Sequence, residues 1–323
     1  MTVPVHAIES PWGRFTLRSF FIDAAEPAIV DTGVSGSPHD GIRPALEALG
    51  RRVEDVRWIL LTHGHIDHVG GAHALWELTG RRAEVVIGAA DAGFLRSRRA
   101  HVHEFLDLRG LDITDPAAVS RKAADAAESI SGEMEPTLTV TGGEVLDLGD
   151  AKLRVHAVPG HTPGAVAYEV EGSGDVFVGD AVQCAGAASG FPGYPDPDRY
   201  RASLVLLRDR VRPRRLHLGH AYRRADGGFF PADLDESSSR EALRVSLDRE
   251  AEIRAAVRRS LADGLHPTDS PYSPFESVAS ALGYTGDPTL EPSPFFTTMR
   301  GYLTRFAQLH EVDRCHPTEG IPT

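Results

Sequence analysis

Cysteine is nearly absent: Cys184 and Cys315 are the only two in 323 residues, which excludes a disulfide framework. Lysine is as scarce, with Lys122 and Lys152 alone. The remaining basic residues are arginines, which reads as codon bias, not function. Long apolar runs are missing too, and none approaches the roughly 20 residues of a membrane span. Met1 to Ser10 holds neither a basic n-region nor an apolar h-region, so no signal peptide is expected and the expected location is cytoplasmic. Positive charge is in deficit. With 34 Lys+Arg against 46 Asp+Glu the net charge is −12, which counts against coating by nucleic acid or an anionic membrane. No internal repeat, low-complexity tract or G-x-S-x-G elbow occurs. What is present is ordinary globular material: 41% hydrophobic and 25% charged residues exclude whole-chain disorder.

The first part of the chain alternates strand and helix signals. Strands are predicted over Phe15 to Ile22, Pro27 to Asp31, Val56 to Leu61 and Glu84 to Gly88, the first two as a hairpin-like pair. Helices are predicted over Ile42 to Leu49 and Gly71 to Leu78, each stopped by a glycine. Residues 91–136, rich in Ala, Arg and Glu, read as an inserted helical segment placed like a lid. Strands return at Leu146 to Leu148, Lys152 to Val158, Ala165 to Val170, Val176 to Val178 and Arg215 to Leu218. A helix at Tyr200 to Arg210 precedes the last of these. From about Ala232 strand signals stop. Helical patterns at Ser237 to Gly264, Pro271 to Leu282 and Pro294 to His310 predict a C-terminal helical subdomain over 232–323, with 1–231 as the catalytic domain.

The chemistry concentrates in histidines. The segment His63-Gly64-His65-Ile66-Asp67-His68 contains H-x-H-x-D-H, whose chance count in a chain of this composition is about 0.002. His63 and His65, two apart at a strand end, point the same way. Asp67 and His68 follow where a helix begins and address a second position close by. Imidazole and carboxylate suit zinc, and also iron or manganese. Three more strands each end beside a glycine and a potential ligand: His161 after Gly160, Asp180 after Gly179, and His220 after Gly219. Ligand-bearing loops at strand ends are where α/β layers keep their sites. An open His/Asp set is catalytic in kind, since structural zinc sites close with four Cys or His ligands.

The set His63, His65, Asp67, His68, His161, Asp180 and His220, with Asp31 after an early strand, resembles the metallo-β-lactamase superfamily over about residues 10 to 225. The nearest likeness is to its glyoxalase II, thioesterase and lactonase branches. The C-terminal helices resemble the appended helices of some superfamily hydrolases, among them polyketide-type thioesterases and a ribonuclease branch. The resemblance implies an α+β fold, an αβ/βα four-layer sandwich with a C-terminal helical subdomain. It implies two divalent metal ions, zinc before iron or manganese. His63, His65 and His161 would hold the first, Asp67, His68 and His220 the second, and Asp180 would bridge them. Catalysis would then run through a bridging hydroxide attacking a thioester, lactone or ester carbonyl. Asp67 would shuttle the proton, so Asp67 and Asp180 are the catalytic pair. The lactonase branch usually carries a Tyr soon after the bridging Asp; here Gln183 and Cys184 stand there. The alternatives are a phosphodiesterase or ribonuclease of the same fold, and a mononuclear iron persulfide dioxygenase.

Other residues carry blander expectations. Tyr194 and Tyr222 are candidate donors to a substrate oxyanion. Arg208, Arg210, Arg212, Arg214 and Arg215, with Arg223 and Arg224, read first as a solvated charged face and second as a grip for a substrate phosphate or carboxylate. His101 and His103 read as solvated, His73, His156 and His217 as packing residues, and Cys184 as a buried small residue. The expected partner is a small-molecule or carrier-bound acyl substrate, with neither membrane nor nucleic acid. A homodimer rests on general grounds alone.

Overall fold

A computed structural model describes residues 3–13, 15–102, 117–187, 190–224, 226–288 and 293–315. The first half builds one six-stranded sheet from β1 (Val5–Trp12), β2 (Phe15–Ile22), β3 (Ala28–Val30), β4 (Trp58–Leu60), β5 (Glu84–Gly88) and β6 (Leu138–Val140), in that order. β1 to β3 pair antiparallel and β3 to β6 parallel. The second half builds another from β7 (Val145–Asp147), β8 (Lys152–Ala157), β9 (Val166–Val170), β10 (Asp175–Gly179), β11 (Arg215–Leu218) and β12 (Asp233–Leu234). Here β10 and β11 run parallel and the other neighbours antiparallel.

The two-residue period of a strand sorts side chains into layers. Ile29, Ile59, Val85 and Ile87 face helices α1 (Arg43–Ala48) and α3 (Ala72–Leu78), while Val30, Leu60 and Val86 face the other sheet. α2 (Ile66–Val69) lies between those helices in sequence. On the second sheet, Leu153, Val155, Tyr168 and Phe177 turn inward between the sheets. Ala167, Val176, Val178, Leu216 and Leu218 turn outward. That outward face is covered by helices α6 (Pro197–Leu206), α7 (Glu236–Asp263), α8 (Glu276–Ala281) and α9 (Pro294–Cys315). The result is helix, sheet, sheet, helix, the four layers expected. Of the 91–136 segment, the described part is helical at α4 (Ala92–Arg96) and α5 (Ala118–Ser129).

Three strands were not anticipated. β1 is a largely exposed edge carrying Glu9, Ser10 and Pro11, a composition that reads as coil. β6 is only three residues long. β12 pairs with β11 just beyond the 231/232 boundary, so the second sheet reaches into the region expected to be purely helical. Among the described residues no helix is long and apolar enough to cross a membrane.

Candidate metal centre

Four loops meet at one end of the two sheets. β4 runs out at Leu60 into Thr62–His63–Gly64–His65, and α2 then begins, carrying Asp67 and His68. His161 follows β8, Asp180 follows β10 directly, and His220 follows β11. Close approach demands glycine here. A Cβ on Gly219 would lie 2.6 Å from Asp180 Oδ1 and 3.0 Å from His68 Cε1.

The seven residues fall into overlapping groups whose ligand atoms lie within 4.8 Å of one another: His63, His65 and His161; His63, His68 and Asp180; Asp67, His68 and His220. His63 Nε2 and His65 Nδ1 stand 3.2 Å apart, and His68 Nε2 and His220 Nε2 3.3 Å. Two nitrogens bound to one tetrahedral ion at about 2.0–2.1 Å each stand about 3.3 Å apart, so both pairs have a chelate's spacing. Asp180 reaches both groups: Oδ2 lies 3.5 Å from His161 Nε2 and from His220 Nε2, and Oδ1 lies 3.5 Å from His68 Nε2. Asp67 Oδ2 is 3.1 Å from His220 Nε2. His161 Nε2 and Asp180 Oδ1 are buried and make no hydrogen bond among the described residues. Native proteins seldom bury such atoms unpaired. The donor set therefore fits divalent cations, though it does not name the metal.

Backbone and side-chain partners fix how the rings present themselves. His68 Nδ1–H donates to Asp31 Oδ2 at 2.8 Å, and Thr62 Oγ1 donates to the same oxygen at 2.8 Å. Thr62 Oγ1 in turn accepts from His63 Nδ1–H at 3.1 Å. His161 Nδ1–H donates to the Gly193 carbonyl at 2.6 Å. In all three rings this leaves Nε2 to face the shared space. Charge follows position. Burial, then the neighbouring imidazoles, push His63 well below the usual histidine range and His161 down to about 4. Burial opposes charge on His68 as well, but Asp31, Asp67 and Asp180 outweigh it and raise it to about 10. Asp180 and Asp67 are held low despite burial, because His220 and His68 face them.

The metallo-beta-lactamase superfamily's family model matches residues 18–257. The chain belongs to that superfamily. Within it, a hydroxyacylglutathione hydrolase of Rhodobacter capsulatus is 29% identical over 269 residues, covering 81% of this chain and 86% of the relative. One from Bradyrhizobium sp. is 30% identical over 233 residues, covering 72% of each. Among solved structures, a metallo-beta-lactamase family protein from Thermus thermophilus superposes with a TM-score of 0.63 at 23% identity, covering 94% of both chains. That likeness speaks for the superfamily's fold.

The structure also separates the remaining candidates. Tyr222 lies at the centre, its ring 5.9 Å from that of His220. Its hydroxyl is buried and unbonded among the described residues; burial, then Asp180, push it well above the usual phenol range. Tyr194 does not join it. Its ring stacks on Tyr200 at 4.1 Å and its hydroxyl lies in the field of Tyr302 and Glu250, fully buried against the C-terminal helices. Among the arginines, Arg208 pairs with Asp209 and Arg224 with Glu241, while Arg215 reaches Asp175 at 3.8 Å. His101, expected in solvent, is buried instead, with Nε2 2.8 Å from the Phe94 carbonyl. His103 lies outside the described residues. His156 pairs with Glu169 across β8 and β9. Cys184 is buried, and its backbone N–H donates to Ser246.

The roles of Asp91 and Gln183 escaped sequence reading. Asp91 is fully buried and accepts from Gly64 N–H, Thr162 Oγ1 and Gly164 N–H. Gln183 brackets Gly193: its Oε1 accepts from Gly193 N–H at 2.7 Å and its Nε2 donates to the Gly193 carbonyl at 2.8 Å.

Proposed function

We propose that the chain is a metal-dependent hydrolase that cleaves an acyl thioester, with His63, His65 and His161 holding one divalent ion, Asp67, His68 and His220 a second, and Asp180 between them. The observation that carries this reading is the position of Asp180, whose carboxylate lies 3.5 Å from a histidine of either group. Kinship with the hydroxyacylglutathione hydrolases supports a thioester over a lactone or simple ester. Zinc is the first choice of metal, since imidazole nitrogens and carboxylate oxygens are its ordinary donors in catalytic sites. Bound there, the ions would polarise the acyl carbonyl and make a water acidic enough to attack at neutral pH.

The chain's own groups do the rest. Asp31 and Thr62 keep the protons of His68 and His63 on Nδ1, so that Nε2 of each stays a lone-pair donor. Asp67 Oδ2, part-exposed at the site and beside His220, is the carboxylate placed to pass a proton toward the departing thiolate. The Tyr222 hydroxyl, buried beside Asp180, is placed as a donor to oxygen that gains charge.

The test is a hydrolysis screen of metal-quantified protein with acyl thioesters, lactones, simple esters and a phosphodiester, using Asp180→Ala as control. Thioester turnover lost in the control is expected. Turnover of the phosphodiester alone would overturn the reading. So would iron-dependent oxygen consumption with no hydrolysis.

A further inference from the structure

Two ligand groups built from loops far apart in sequence need something to set the distance between the loops. In the second group Asp31 holds His68 directly, through its Nδ1–H. The first group has its own buried carboxylate. Asp91 stands at the entrance to α4, outside every segment that carries a ligand, and is 0% exposed. Its Oδ2 accepts from Gly64 N–H at 2.9 Å, the peptide between His63 and His65, and from Thr162 Oγ1 at 2.6 Å, next to His161. Its Oδ1 accepts from Gly164 N–H at 2.7 Å. One carboxylate thus joins the two loops whose histidines form the first group. Contact is tight enough that a Cβ on Gly164 would lie 2.7 Å from Asp91 Oδ1. Burial pushes this carboxyl upward, while the three donors pull the other way.

We infer that Asp91 is the positioning residue that sets the spacing of the His63, His65 and His161 group. It touches no ligand ring and acts through the backbone of one loop and the hydroxyl and backbone of the other. The inference rests on the proposed assignment of that group to one ion, and it predicts an asymmetry: loss of Asp91 weakens the first group and leaves the second, which Asp31 anchors, nearly intact.

The experiment uses the full chain in two backgrounds. In His220→Ala the surviving ion sits at the first group; in His65→Ala it sits at the second. Adding Asp91→Ala is expected to weaken zinc binding at least about tenfold in the His220→Ala background and less than about threefold in the other, read by competition with a chromophoric chelator. Equal loss in both backgrounds, or loss in neither, overturns the inference. Asp91→Asn serves if the alanine variant does not fold. It keeps one acceptor oxygen but turns an N–H₂ toward Gly164 N–H, and should fall between wild type and alanine. Amide hydrogen exchange in the metal-free protein reads the tie without any ion: segments 62–66 and 160–166 should both exchange faster in the variant. Faster exchange in only one of them overturns the inference. Wild-type protein that binds no metal at all would sink the proposed function, while the exchange measurement still decides the role of Asp91.

Discussion

Asp180 and His217 show how differently two buried titratable residues on neighbouring strands are used. Asp180 closes β10 and faces imidazoles from both ligand groups. Asp180→Ala should lower turnover at least about 10²-fold with the fold intact, checked by steady-state kinetics beside circular dichroism. His217 lies one strand over and faces the layer between the sheets, stacked on Phe177 at 4.5 Å. Its Nδ1 donates to Asp233 at 2.7 Å and its Nε2 to Asp175 at 2.9 Å. Both nitrogens donate only in the imidazolium form. Burial disfavours that charge, but the two carboxylates, with Arg215 the other charge beside them, raise the histidine above its usual range. A folded-state value above the unfolded one stabilises fully below about pH 6.5, and the contribution fades as pH rises through the folded value. His217→Gln should cost about 1–3 kcal/mol at pH 6, and the gap to wild type should narrow toward pH 9 in urea unfolding. A gap independent of pH would mean that the ring is neutral.

At the scale of elements, α9 does more than cover a sheet. Thr298 is fully buried; its Oγ1 accepts from Tyr194 N–H at 3.0 Å and donates to the Pro192 carbonyl at 2.8 Å. Those bonds bracket Gly193, whose carbonyl holds His161. Thr298→Val strips the loop of both and should lower turnover roughly tenfold, with Thr298→Ser restoring it. Equal activity in all three would show that Gln183 alone holds the loop. The same elements show what sequence could carry. Glu84–Gly88 and Arg215–Leu218 read off directly because both are short, apolar and closed by turn residues. The metal-ligand candidates read off because the H-x-H-x-D-H spacing is improbable by chance and meets a geometric need. Asp91, Gln183 and Thr298 did not. A single Asp, Gln or Thr carries no pattern, and each acts only through a partner loop that folding brings alongside. The packing of Tyr194 was not legible for the same reason: its neighbour Gly193 touches His161, while its own ring is claimed by Tyr200 and the C-terminal helices.

For the whole molecule, the outer core makes the C-terminal helices inseparable from the catalytic layers. Val178, Leu216 and Leu218 of the second sheet share one buried cluster with Leu243 and Ile253 of α7 and Phe295 and Met299 of α9. A chain cut after residue 235 would expose that sheet face to water, a loss of about 25 cal/mol per Å² of apolar surface. It should come out insoluble or without a cooperative melting transition. A soluble, cooperatively melting fragment would show that residues 1–235 fold alone.

His68 and His220 stand 152 positions apart along the chain. Contacts of that range close last, after local strands and helices have paid their loop-closure entropy. The second ligand group therefore cannot form before β11 has been synthesised, since His220 follows that strand. A cation held there would stabilise the native state by mass action. The distance in sequence between its members thus makes this group a readout of the assembled fold and not of any one segment.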